Sequence, residues 1–181
     1  MPDPTTTPLR PRVLVVDDEL AKLDTALGRA TESLAVALEG RNVDVVRALS
    51  YEDGQAIVGS DASLRAVLLD WNLGLNSKGT HAQATALLHK LRERNSGAPV
   101  FLLAEREQTR GTMTIEVAEM VDEFVWPLED SADFVAGRVL AAVRRYEAQL
   151  LPPYARVLAE YARLREHSWS APGHQGGIAF T

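Results

Sequence analysis

Arg12–Glu19, RVLVVDDE, decides the reading of this 181-residue chain. Val13–Val16 is a run of four apolar residues, which fits a strand buried on both faces rather than a half-exposed one. Asp17, Asp18 and Glu19 then stand where that strand ends. The same pattern returns downstream: Ala66–Leu69 is a second such run, closed by Asp70, with Asn72 two residues on. Val43–Val46, Val100–Leu103 and Val121–Val125 are three further short apolar runs.

Between the runs the period changes to that of helices. Leu23, Leu27, Ala30, Leu34 and Leu38 recur every three or four residues and predict one amphipathic helix, with Gly40 at its C-cap. Ser50 and Asp53 resemble an N-terminal cap for a second, and Thr80 is placed to cap a third carrying Ala84, Leu87, Leu88 and Leu91. A weaker helix is expected near 114–120. Asp130 or Ser131 opens a long one with Phe134, Val135, Val139, Ala142, Val143, Tyr146 and Leu150 on its apolar side. Five strands and five helices in alternation predict an α/β fold, a flavodoxin-like doubly wound five-stranded parallel sheet. Pro152-Pro153 interrupts helix, and Val157, Leu158, Tyr161 and Leu164 restart it over 154–167.

Composition narrows the function classes. With 46% hydrophobic residues and 24% charged ones the chain can bury a core. A net charge of −6 without any long basic run argues against nucleic-acid binding, and no apolar stretch approaches the ~20 residues that span a bilayer, so neither partner is expected. The absence of cysteine excludes disulfides and thiolate metal sites and suits a cytoplasmic protein. The N-terminus MPDPTTTPLRPR lacks the apolar core of a signal peptide.

In a doubly wound sheet ligands bind beyond the carboxyl ends of the strands, so Asp17, Asp18 and Asp70 should meet in one pocket. VLVVDDE and VLLDWNLG resemble response-regulator receiver domains over roughly residues 12–148. The resemblance implies a phosphoryl acceptor at Asp70 and Mg²⁺ held by the carboxylates and the Asn72 carbonyl. Two receiver positions do not match. Ala104 stands where receivers carry Ser or Thr, and Trp126 where they carry a lysine before Pro127. Phosphoryl transfer rests on electrostatic stabilisation, so these losses argue against a working switch. The acidic pocket Asp17, Asp18, Asp70 and Asn72 is therefore read as vestigial, its aspartates capping loops and helix starts, with no metal assigned. Mg²⁺ at Asp17, Asp18 and Asp70 is the alternative.

The last third adds a second resemblance. VDEFVWPLEDSADFVAGRV, QLLPPYARVLAEYA and HSWSAPGHQGGIAFT are similar to the N-terminal region of bacterial ornithine/lysine/arginine decarboxylases, and SWSAPGHQGG to the arginine decarboxylase branch. Pro152, Pro153, Pro172, Gly173, His174, Gly176 and Gly177 form the linker motif of that resemblance. It implies a disordered tail at 1–11, a receiver-like wing at 12–150, a helical linker at 151–168 and the start of a pyridoxal-phosphate domain at 169–181, where the chain reads as cut.

The family's cofactor lysine lies in a Ser-x-His-Lys motif far beyond Thr181. Lys22 and Lys90 fall on predicted helices and Lys78 in a loop, so pyridoxal phosphate is expected only in the complete enzyme and not on this fragment. No catalytic residue is assigned. The glycines of PGHQGG are read as a turn, His174 as a local hydrogen-bond former, and His81, His89 and His167 as too scattered for a metal site. By resemblance the partners are the chain's own catalytic domain and neighbouring subunits, in dimers and ring-shaped decamers. Tyr146, Leu150, Leu151, Tyr154 and Tyr161 are expected to be exposed for them. The competing reading is a stand-alone degenerate receiver acting in signalling or as an adaptor.

Overall fold

The computed structural model describes residues 10–74, 81–95, 97–109 and 111–169, without the side chains of Gln108, Tyr154, Arg156, Ala159 and 165–169. Its strands are β1 (Arg12–Val16), β2 (Asp44–Ala48), β3 (Leu64–Asp70), β4 (Val100–Leu103) and β5 (Glu123–Val125). They form one parallel sheet in the order β2-β1-β3-β4-β5. The helices are α1 (Ala26–Glu39), α2 (Tyr51–Ser60), α3 (Ala82–Arg94), α4 (Arg106–Thr109), α5 (Ile115–Glu119), α6 (Ala132–Leu150) and α7 (Pro153–Trp169). This is the flavodoxin-like architecture expected, with the four-residue α4 inserted between β4 and α5.

Strand alternation sorts the core into two layers. Val13, Val15, Ala66, Leu68, Phe101 and Leu103 point to one face, where Leu34 and Leu38 of α1 and Val135, Val139 and Val143 of α6 cover them. Leu14, Val16, Val67, Leu69, Val100 and Leu102 point to the other, covered by Val58 of α2, by Ala84, Leu87, Leu88 and Leu91 of α3, and by Val117 of α5. Both faces are dry, which is why β1, β3 and β4 read as unbroken apolar runs. The chain divides into two compact units between Tyr146 and Glu147.

Several local expectations need correction. α1 begins at Ala26, because the Thr25 side chain accepts the Gly28 N–H and caps it there. Leu23 therefore lies in the preceding turn and is 57% exposed, and the buried stripe is Gly28, Thr31, Leu34, Ala35 and Leu38. Lys22 lies in that turn too, not on a helix. α3 has His81 at its N-cap position with no side-chain cap bond, and Thr80, expected to cap it, lies outside the described residues. Phe134 is 61% exposed, one residue off the buried stripe of α6. Tyr146 is buried, and its hydroxyl donates to Asn95 Oδ1 at 2.5 Å. Ser50 does cap α2, accepting the Asp53 N–H.

In the second unit, Pro152 precedes the helix and Pro153 is the first residue of α7, where a missing N–H costs no helical bond. Val157, Leu158, Tyr161 and Leu164 on α7 are each more than half exposed, as is Leu150, while Leu151 is 39% exposed. None of the described helices is long and apolar enough to cross a membrane.

Candidate functional site

Strand register assembles the site. Val16 pairs with Leu69, so Asp17 and Asp70, each one residue further along, sit side by side at the carboxyl edge. Leu103 pairs with Asp70 and with Val125, which sets Ala104 and Trp126 next along the same edge. One oxygen each from Asp17, Asp18 and Asp70 lies within 4.8 Å of the others. The expected meeting of the three carboxylates is thus observed.

Their surroundings differ. Asp17 is buried, accepts the Glu19 N–H at 2.7 Å, and donates its own N–H to Ala48 O at 3.1 Å. Burial pushes its carboxyl above the ordinary range, and contacts from the Thr31 hydroxyl and the Glu19 N–H partly counter this. Asp70 is 2% exposed; its Oδ1 accepts the Asn72 N–H at 3.1 Å, and its buried Oδ2 has no hydrogen-bond partner among the described residues. Burial, then the neighbouring Asp17 carboxylate, push Asp70 up to about 8. Asp18 is half-buried, and its Oδ1 also lacks a hydrogen-bond partner among the described residues. Two adjacent buried acids with raised proton affinity form an electrostatic sink for a proton or another cation.

The sequence reading missed the cation that is present. Lys22 Nζ donates to Glu19 Oε1 at 3.0 Å and lies 3.8 Å from Asp18 Oδ2. The turn that carries it folds back against α1, where a Cβ at position 28 would overlap the Lys22 and Glu19 carbonyls; only glycine fits there. A Glu–Lys pair three residues apart just ahead of a Thr cap was the available signal. Asp18, Glu19, Lys22, Asp70, Glu105 and Leu128 border an open cleft of about 560 Å³, together with Thr25, Ala26 and Leu27 at the start of α1.

The other side of the edge borders a smaller cleft of about 320 Å³, lined by Ala104, Arg106, Trp126, Leu128 and Glu129. Ala104 is buried and offers no hydroxyl; its N–H donates to Val125 O. Trp126 stacks near Phe124, with centroids 6.2 Å apart and planes at 12°. The Arg106 guanidinium lies 5.2 Å from the Trp126 ring centroid and pairs with Glu129 at 2.8 Å. A second groove, of about 620 Å³, holds a stacked Trp71–His81 pair at 4.2 Å, while His89 pairs with Glu116 at 3.5 Å. Pro172, Gly173, His174, Gly176, Gly177 and Lys78 lie outside the described residues, and so does the His167 side chain.

Neither described lysine suits pyridoxal phosphate. A Schiff-base lysine must shed its proton readily, yet the Glu19 hydrogen bond holds the Lys22 ammonium above its ordinary range. Lys90 lies across Gly59 of α2, away from the carboxyl-edge cleft.

Known proteins share both this fold and its sequence. The family model described as Orn/Lys/Arg decarboxylase, N-terminal domain, matches residues 26–146. The chain is 44% identical over 170 residues to the biodegradative arginine decarboxylase of Escherichia coli K12, covering 94% of this chain and 22% of that protein. Lysine decarboxylase A from Pseudomonas aeruginosa superposes with a TM-score of 0.72 at 27% identity, over 94% of this chain and 23% of that one. The receiver domain of the Francisella response regulator 1452 superposes with a TM-score of 0.55 at 21% identity, over 75% of this chain and 98% of that one. This last likeness shows the fold alone. The chain spans about a fifth of the length of the decarboxylases it matches.

Proposed function

The chain belongs to the family of Orn/Lys/Arg decarboxylase N-terminal domains, and from that premise we propose that it is the non-catalytic assembly and regulatory domain of an arginine decarboxylase. The observation that carries this is the extent of the 44% identity: it covers 94% of the chain, whereas the receiver likeness covers 75%. The adaptor reading has no comparable support.

Arginine is the proposed substrate of the complete enzyme, pyridoxal phosphate its cofactor, and the cytoplasm its compartment. Decarboxylation is assigned to parts of such an enzyme that the described residues do not include. What these residues supply is a parallel sheet covered on both faces and a helix whose Val157, Leu158, Tyr161 and Leu164 are open to be covered. Its partners are the catalytic domain and neighbouring subunits, in a homo-oligomer. Phosphoryl signalling is not proposed, because Ala104 and Trp126 leave that group neither sensed nor neutralised on the β4–β5 side.

The test is to follow the reading frame through Thr181 and express its whole product with and without residues 1–146. The expected result is a frame carrying a Ser-x-His-Lys lysine, whose shortened product keeps arginine decarboxylation per cofactor but loses higher-order assembly by mass photometry. Unchanged assembly, or a frame without such a domain, overturns the proposal.

A further inference from the structure

We infer that the free edge of β2 pairs with β2 of a second copy of this chain, antiparallel across a twofold axis, and so joins two five-stranded sheets into one. That this pairing serves the assembly of an enzyme rests on the proposed function; the pairing itself rests on the sheet.

Strand parity fixes which backbone groups are open. The Asp44 N–H donates to Pro11 O and Ala48 O accepts the Asp17 N–H, so Asp44, Val46 and Ala48 turn their backbone groups toward β1. Val45 and Arg47 turn theirs outward, and none of these N–H and C=O groups has a hydrogen-bond partner among the described residues. Natural sheet edges are commonly blunted by a proline, a bulge or a charge laid over the strand. β2 has no proline and runs beside β1 without a register shift. Its arginine is drawn aside, because Glu32 and Glu39 of α1 accept from the Arg47 guanidinium at 2.9 and 2.6 Å. Val36 stands between those glutamates on the same stripe of α1 and is 54% exposed. The opposite edge is guarded: β5 has three residues, and Asp130 Oδ2 accepts the Trp126 N–H just past it at 2.9 Å.

A second copy is the occupant that this edge matches. Antiparallel strands exchange bonds between residues whose backbone groups face each other, so Val45 of one copy stands opposite Arg47 of the other, and Val46 opposite its counterpart. Each copy then supplies two donors and two acceptors, and all of them are met. The flanking charges select the same direction. Exposed Arg41 precedes β2, and exposed Glu52 and Asp53 open α2 beyond it. Antiparallel pairing brings Arg41 of each copy toward the acids of the other, whereas parallel pairing sets like charge beside like. The ion pair that Arg41 makes within the chain is to Asp133, itself 77% exposed, and such a pair exchanges readily for another.

The test uses the 181-residue chain, by sedimentation equilibrium from about 5 μM to about 1 mM and by amide hydrogen exchange at both ends of that range. A dimer with a Kd on the order of 100 μM is expected, as suits a small interface. Exchange at the Val45 and Arg47 amides should slow about fivefold at the high concentration, while the Val46 and Ala48 amides hold steady. Arg41→Glu and Glu52→Arg should each weaken the dimer by about tenfold, and the two together should restore it to within about threefold. Val45→Pro removes an outward N–H and leaves the bonds to β1 in place, so it should abolish the dimer. If that variant does not fold, the charge swap carries the test. The inference is overturned by any of four results: a monomer throughout the range, dimers whose Val45 and Arg47 amides exchange as fast as the monomer's, a charge swap that restores nothing, or a folded Val45→Pro chain that dimerises like the parent. The assembly reading is tested by deleting residues 1–146 from the whole product, so either can fail without the other.

Discussion

At the carboxyl edge of one sheet, the β1–β3 side and the β4–β5 side have opposite chemistry. The first holds two buried carboxylates with orphaned acceptor capacity at Asp70 Oδ2, and has Lys22 at its rim. The second holds Ala104 and the near-parallel Phe124 and Trp126 rings, with the exposed Arg106–Glu129 ion pair beside Trp126. Each side follows from the residues at its strand ends, which the register brings to within one residue of level. The difference teaches that one sheet edge can carry an electrostatically costly acidic side next to an aromatic one. The acidic side opposes stability at neutral pH, while the aromatic side contributes to it.

The sharpest way to break that contrast is Asp70→Asn. A carboxyl that titrates at about 8 in the folded chain, against an ordinary value of 3.8, binds its proton more tightly when folded. Stability from this group is therefore lost as pH rises between those values, and the full penalty is present above about 8. Asn keeps the shape and removes the charge. Each tenfold gain in proton affinity on folding corresponds to ~1.4 kcal/mol. The expected gain for the variant, after relaxation around the buried charge, is about 3–5 kcal/mol at pH ~8, and it should vanish toward pH ~4. Urea unfolding of both proteins at the two pH values measures it. A variant less stable than the parent at the higher pH would mean that the carboxylate is already neutralised by a bound cation.

The opposite side should respond with the opposite sign. Trp126→Ala removes the packing against Phe124 and the ring beneath Arg106, and exposes the edge of β5. Because Trp126 is only partly buried, a loss of about 2 kcal/mol is expected rather than the larger cost of a core tryptophan. The loss should be nearly the same at mildly acidic and mildly basic pH, since the substitution removes ring contacts and no charge. A strongly pH-dependent loss would show that Trp126 instead modulates the Asp70 side, and the two halves would then be one coupled site.

How much of this was legible in the sequence depends on the range of the interaction. β1, β3 and β4 were legible because a strand covered on both faces must be apolar at every position, and the meeting of Asp17 with Asp70 followed from strand order. The four buried positions of α3 were legible from period alone. Features set by distant partners were not. Tyr146 reads as apolar surface left over at the end of a long helix, and it is buried because Asn95, 51 residues away, receives its hydroxyl. Leu128 and Glu105 come to the acid cleft from loops beyond β5 and β4, with no local signature to mark them. Lys22 reads as helical because the leucine period runs smoothly through a turn; the Thr25 cap and the crowding at Gly28, both visible only in three dimensions, end the helix first.

The smallest expected effect compares the two sides through their helix caps. Thr25 begins α1 beside the acids, accepting the Gly28 N–H at 3.0 Å while its hydroxyl donates to Lys22 O at 2.9 Å. Thr114 begins α5 on the β4–β5 side, accepting the Val117 N–H at 3.2 Å. Thr25→Ala should cost about 1 kcal/mol, because it uncaps a 14-residue helix and frees the turn that holds Lys22 near Asp18. Thr114→Ala, at the head of a five-residue helix, should cost about half as much. Thermal unfolding of the pair ranks them. If Thr25→Ala proves the milder change, the turn holds its place without the cap, and Lys22 is kept there by its carboxylate neighbours alone.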